Sequence, residues 1–127
     1  MRPIRFRAWD IDKKVLSPVW DISFRQWELS PDINSITLED DGTYEPNNYT
    51  IEQYTGLKDK NGVEIYEGDI VKCFVTNTVD IGYIEYFRST FLFSDADLGR
   101  RFPLDAPYFP DTYEVIGNIH ENPELLK

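Results

Sequence analysis

Glu64, Glu67 and Asp69 place three carboxylates within one short stretch, and carboxylate oxygens are what a hydrolytic Mg²⁺ site requires. Their setting argues otherwise. Neither an EF-hand loop nor a two-metal spacing surrounds them, and Glu67-Gly68-Asp69 reads as a turn, where acidic side chains are solvated and accept nearby backbone N–H groups. A metal-dependent enzyme built on Glu64, Glu67 and Asp69 is therefore the minor alternative. His120 is the only histidine, and no nearby serine or cysteine completes a triad pattern. Its place just before a proline-started segment suits capping or packing. A Gly-x-x-x-x-Gly-Lys phosphate loop is absent. The expectation is a chain with no catalytic residue, no metal and no cofactor.

Binding chemistry is better represented. Arg5, Arg7 and Trp9 alternate along one strand face, and Lys58 and Lys60 flank Asp59 at a hairpin tip. Cations beside aromatics can hold single-stranded nucleic acid by charge and stacking. Trp, Tyr and Arg are equally the residues enriched where proteins bind one another. Net charge chooses between these: 13 basic against 23 acidic residues give −10, which repels polyphosphate and makes duplex DNA an unsuitable partner. Protein contact, with a homo-oligomer foremost and a foreign protein second, is the reading that follows. An acidic protein mimicking nucleic acid, with Glu39-Asp40-Asp41 standing in for phosphates, is a further alternative.

The elements that must position these residues are strands. Hydrophobic content of 41%, with 15% aromatic, excludes a disordered chain, and 127 residues suffice for one domain or two very small ones sharing a core. No window sustains a helical period. Ile4-Arg5-Phe6-Arg7-Ala8-Trp9 alternates with period two, placing Ile4, Phe6 and Ala8 on one face and Arg5, Arg7 and Trp9 on the other. Val15-Leu16 and then Val19 to Phe24 resume the pattern around Pro18, with Trp20, Ile22 and Phe24 alternating. From Arg25 to Asn48 the signal weakens, leaving one short strand, Ile33 to Leu38, and an exposed acidic turn at Glu39-Asp40-Asp41.

Asp59-Lys60-Asn61-Gly62 supplies turn residues between two β-rich runs, so Tyr49 to Ile65 reads as a hairpin. Strands follow at Ile70 to Val75, at Val79 to Phe87 around a central Gly82, and at Thr90 to Phe93, with a polar break at Thr76-Asn77-Thr78. Ser94 to Pro110 is dense in proline and reads as a loop with at most one helical turn. Tyr113 to Ile119 is the last strand, and Asn122-Pro123 signals an N-cap and first position of a short C-terminal helix. The single cysteine, Cys73, reads as a small buried hydrophobe. Met1 to Arg7 lacks the apolar run of a signal peptide, and nothing approaches the roughly 20 apolar residues of a membrane span, so a cytosolic location is expected.

Four segments in order, Ile4 to Asp10, Gln53 to Gly62, Ile65 to Val71 and Tyr113 to Leu126, resemble the YopX family of phage and prophage proteins. The resemblance implies a mainly β protein with an SH3-like small barrel, a bacterial host cytosol as its location, and homo-oligomeric assembly; it implies no catalytic residue. The expected division is an N-terminal β unit over 1–48 packed on a barrel with its C-terminal helical turn over 49–127. Within the resembling segments Tyr54, Gly56, Gly62, Tyr66, Gly68, Asp69 and Gly117 are turn glycines, core aromatics and a turn carboxylate. That mixture is what a fold requirement looks like.

Overall fold

Among the described residues eleven strands run β1 (Phe6–Asp10), β2 (Val15–Phe24), β3 (Ile33–Leu38), β4 (Thr43–Tyr44), β5 (Tyr49–Lys58), β6 (Glu64–Tyr66), β7 (Asp69–Val75), β8 (Thr78–Phe87), β9 (Thr90–Asp95), β10 (Arg101–Pro103) and β11 (Tyr113–Asn118). They come from a computed structural model that describes residues 3–24, 33–40, 42–75, 78–97, 99–104 and 113–127. Every pairing among these strands is antiparallel. The protein is mainly β, as its period-two patterning predicts.

The chain divides into two compact units, Ile4–Gln53 and Tyr54–Lys127, the latter grouped with Met1–Pro3. In the first, the strand order is β4-β3-β2-β1-β5, and β5 contributes its Tyr49–Gln53 half. Ala8, Ile36 and Leu38 are its buried centre, with Val19, Ile22, Ile33, Tyr44, Tyr49 and Ile51 packed around them. β2 is one continuous strand through Pro18 rather than two runs either side of it. β3 joins β2 only from Val19 onward, so Pro18 has a free edge on one side and its missing N–H costs no ladder bond there.

A bulge follows immediately. Val19 faces Leu38 and Asp21 faces Thr37, so Trp20 is an extra residue with no partner on β3. Trp20 and Ile22, expected on one face, are separated by that irregularity: Ile22 packs on the core while Trp20 is 61% exposed.

In the second unit β5 continues past Gln53 to pair with β6, and a five-stranded sheet has the order β10-β9-β8-β7-β11. Ile65, Val71, Cys73, Ile84, Phe93, Leu104 and Tyr113 form its core, so Cys73 is the buried apolar residue its context predicts. Gly82 lies on β8 directly against β9. A Cβ there would run into the Ser94 carbonyl oxygen and come within 2.8 Å of the Phe93 ring. β10 was not legible in the proline-rich loop. It is tolerated because Pro103 ends a three-residue edge strand that pairs only with β9.

Two further expectations change. Pro123–Leu126 is a 3-10 turn and not an α-helix, held by i→i+3 bonds such as Leu125 N to Asn122 O at 3.1 Å. Asn122 does not cap it, because its Oδ1 instead accepts the Asn118 N–H. The weak stretch before Asn48 contains β4 and a 3-10 turn, Pro46–Asn48, besides the expected β3. The parts of that stretch at 25–32 and 41, the centre of the polar break at 76–77, and the possible helical turn at 105–112 lie outside the described residues. Among the described residues no helix is long and apolar enough to cross a membrane.

Candidate interaction surface

The resembling segments of the second unit converge on backbone-binding side chains. Asp59, 6% exposed, accepts the Asn61 and Val63 N–H groups on Oδ1 (2.8 and 2.9 Å) and the Val115 N–H on Oδ2 (2.9 Å). One carboxylate thus closes the β5–β6 turn and ties it to β11, with Lys60 N to Tyr113 O (3.0 Å) alongside. Burial pushes the Asp59 carboxyl up, but the Val115, Val63 and Asn61 N–H groups outweigh it and hold it below its ordinary value.

Asp69 accepts the Tyr66 N–H at 2.8 Å, and Asn118, its register partner, accepts those of His120 and Glu121 at 3.0 and 2.8 Å. Tyr54 and Tyr66 face each other across β5 and β6 with ring centroids 5.5 Å apart. Gly62 closes the first turn at φ +82°, and Gly56 and Gly68 also have positive φ. Gly117 sits against the Asn122 side chain, where a Cβ would overlap it. These positions are a clasp for three turns, and their residue types are consumed in making it.

Among the described residues no three His, Cys, Asp or Glu side chains converge as metal ligands, and Glu64, Glu67 and Asp69 form no such group. His120 takes part in the clasp through its backbone N–H.

The residues singled out for binding are distributed differently from the strand pattern. Arg7 Nε meets Glu52 Oε1 at 2.8 Å across β1 and β5, both side chains being largely buried (14% and 5% exposed). Trp9 is only 8% exposed, so it does not join Arg5 and Arg7 on an open stacking face. β1 lies between β2 and β5, and the neighbouring β5 brings Glu52 opposite Arg7, where the two side chains pair. Lys60 lies over the Phe74 ring (4.3 Å) and 3.5 Å from Glu114 in the second unit, and Lys58 faces Glu64 at the end of β5.

Arg5 keeps a surface position and borders a cleft of about 280 Å³ lined also by Ile4, Phe6, Val19, Trp20, Asp21 and Ile22. The bulge builds it, turning both Trp20 and the adjacent Asp21 outward. With Ile4 68% exposed as well, an isoleucine and a tryptophan stand in water beside one cation and one anion. At about 280 Å³ the cleft lies just below the usual size of ligand pockets, and Ile4 and Trp20 stand in solvent rather than enclosing it. Trp20 carries no motif that marks it. The available signal was Pro18 two residues earlier in a β run, since proline in a strand favours edges and bulges.

The YopX protein family matches this chain over residues 5–127. The chain belongs to the YopX family. Among solved structures, protein EF1440 from Enterococcus faecalis is similar over 100% of both chains, with 31% identity and a TM-score of 0.65. Protein yopX from Bacillus subtilis is similar over 100% of both chains with a TM-score of 0.67; at 21% identity it speaks to the fold alone. A search of curated proteins finds no match.

Proposed function

We propose that this YopX-family chain is a phage- or prophage-encoded accessory protein that acts in the bacterial cytosol by protein–protein contact, without catalysis, and assembles with copies of itself. The observation that carries this is Trp20, set outward by a bulge beside exposed Ile4 and Arg5. An indole held 61% in water on an ordered strand gains by being covered, and tryptophan and arginine dominate the energetics of protein interfaces. We read the second unit, with its bulged β11 and its close β8–β9 approach at Gly82, as the SH3-like barrel, a scaffold in which Asp59, Asp69 and Asn118 hold turns. We read the chain as an N-terminal β unit followed by this barrel.

Two rivals have less support. Single-strand binding through Arg5, Arg7 and Trp9 lacks its stacking platform, because Trp9 is buried and Arg7 is paired with Glu52. Nucleic-acid mimicry needs carboxylates gathered on one face, whereas Asp10, Asp40, Asp59, Asp69 and Asp95 each accept local backbone N–H groups. Asp40 does remain a firm anion: the Tyr44 hydroxyl at 2.6 Å and the Gly42 N–H hold its carboxyl below the ordinary value. Light scattering of the purified protein across concentration and salt tests the reading. A mass above the 14.9 kDa of one chain supports it, and 14.9 kDa at every concentration refutes self-assembly.

A further inference from the structure

We propose that Asn61 is a site of self-modification: its side-chain amide is lost through attack by the Gly62 nitrogen, at a rate set by the Asp59 clasp, and the product holds that clasp open. Asn61-Gly62 is the only Asn-Gly pair in the sequence, and both residues are exposed at the β5–β6 turn. Gly62 has no side chain to shield its nitrogen. Among the described residues nothing fills the space beside it, since a Cβ built there meets no atom within 4 Å.

Water supplies everything else the reaction needs. The Gly62 nitrogen gives its proton to hydroxide and attacks the Asn61 side-chain carbonyl carbon, forming a carbon–nitrogen bond and a five-membered imide. The bond from that carbon to the side-chain amide nitrogen breaks, and the nitrogen takes up a proton from water and leaves as ammonia. Water then adds to one or the other carbonyl of the imide, which reopens as aspartate or as isoaspartate. Nothing is oxidised or reduced.

The clasp opposes the first event. The Gly62 N–H donates to the Asp59 carbonyl oxygen at 3.0 Å, so deprotonating it breaks a hydrogen bond and sets a negative nitrogen beside an acceptor. The Asn61 and Val63 N–H groups on either side both donate to Asp59 Oδ1, at 2.8 and 2.9 Å, which resists the rotation that would bring the Asn61 side chain round to the Gly62 nitrogen. Cyclisation therefore proceeds from the locally opened turn, and its rate follows the population of that open state.

The product works back on the same bonds. Isoaspartate puts one extra carbon into the main chain between positions 61 and 62, so the N–H groups of residue 61 and Val63 no longer converge on one oxygen. Either product also adds a carboxylate close to that of Asp59, where like charges repel. The Asp59 carboxylate is what holds the Val115 N–H, 56 positions away, so the loss of one amide at the turn loosens β11. Modification needs the clasp open and then keeps it open, which makes the turn a one-way latch.

The full chain is incubated at neutral pH, folded or in denaturing urea, and the gain of one mass unit is followed by mass spectrometry, with peptide mapping to assign it to Asn61. The folded wild type is expected to react at least about tenfold more slowly than the chain in urea, because only the opened turn cyclises. Asp59→Ala, checked for folding by circular dichroism, is expected to react faster than wild type, and the milder Asp59→Asn to fall between the two. The modified chain, separated by its extra negative charge, is expected to show faster hydrogen exchange at the Val115 amide while exchange in β8 and β9 stays as in the unmodified chain. No reaction at Asn61 even in urea would overturn the site. Equal rates folded and in urea, or folded Asp59 variants that react no faster than wild type, would overturn the gating, and unchanged exchange at Val115 after modification would overturn the latch.

Discussion

Replacing Asp59 by alanine removes three hydrogen bonds at once, those from Asn61, Val63 and Val115 at 2.8 to 2.9 Å. A hydrogen bond to a charged acceptor contributes about 1.5–3 kcal/mol net. The donors are partly buried, so water recovers some of the loss, and the low end of that range applies to each. The expected destabilisation is about 3–5 kcal/mol, a large part of the about 5–15 kcal/mol that holds a domain folded.

Asp59→Asn keeps Oδ1 for Asn61 and Val63 but sets an amide NH₂ against the Val115 N–H, so about 2–3 kcal/mol is expected, concentrated at β11. Urea unfolding followed by fluorescence reads the first number, and hydrogen exchange at the Val115 amide reads the location. The pH dependence has a definite sign. Asp59 is held below its ordinary value of 3.8, so its contribution is fully present above that value and is lost as pH falls through the lower folded one. The wild type should therefore lose its advantage over Asp59→Asn only in strong acid. Asp59→Ala within about 0.5 kcal/mol of wild type would refute the clasp as the meaning of the family segment.

Arg7→Ala removes the cation 2.8 Å from the buried Glu52 carboxylate and is expected to cost about 3–5 kcal/mol in urea titration, whereas Arg7→Met with Glu52→Leu should recover most of it. Gly82→Ala and Gly117→Ala should differ. The first drives a methyl into the Ser94 backbone carbonyl and should prevent folding or cost well over the about 1–3 kcal/mol of ordinary overpacking; the second meets the Asn122 side chain, which yields by giving up its bond from the Asn118 N–H, and should fall within that range. Trp20→Ser should change thermal stability little, because the indole is already 61% exposed, so an effect on assembly without one on melting separates contact from fold.

The turns were the most legible part of the sequence because their chemistry is local. Asp59-Lys60-Asn61-Gly62 announces a hairpin whatever surrounds it, and the hairpin is there, with Gly62 at positive φ. That Asp59 also reaches Val115 could not be read, since the bond spans 56 positions of chain. Alternation located β1 but could not say which face stays open. Trp9 is buried and Arg7 is paired with Glu52 on the neighbouring β5, contacts that no count along β1 alone shows, and the exposed indole is Trp20 instead. A bulge is a tertiary choice between two strands, here β2 and β3, and period-two counting along β2 alone passes over it. Proline misled in the opposite direction: Pro18 and Pro103 suggested breaks where edge positions admit both residues into strands.

Hydrogen exchange across a concentration series tests the central claim most directly, by asking whether the Trp20 surface is covered by another copy. The account predicts that protection of Ile4 to Phe6 and of Val19 to Ile22 rises as the protein is concentrated, while exchange in β8 and β9 stays constant. Exchange of those two segments that is independent of concentration, under conditions where the measured mass rises above one chain, would contradict it.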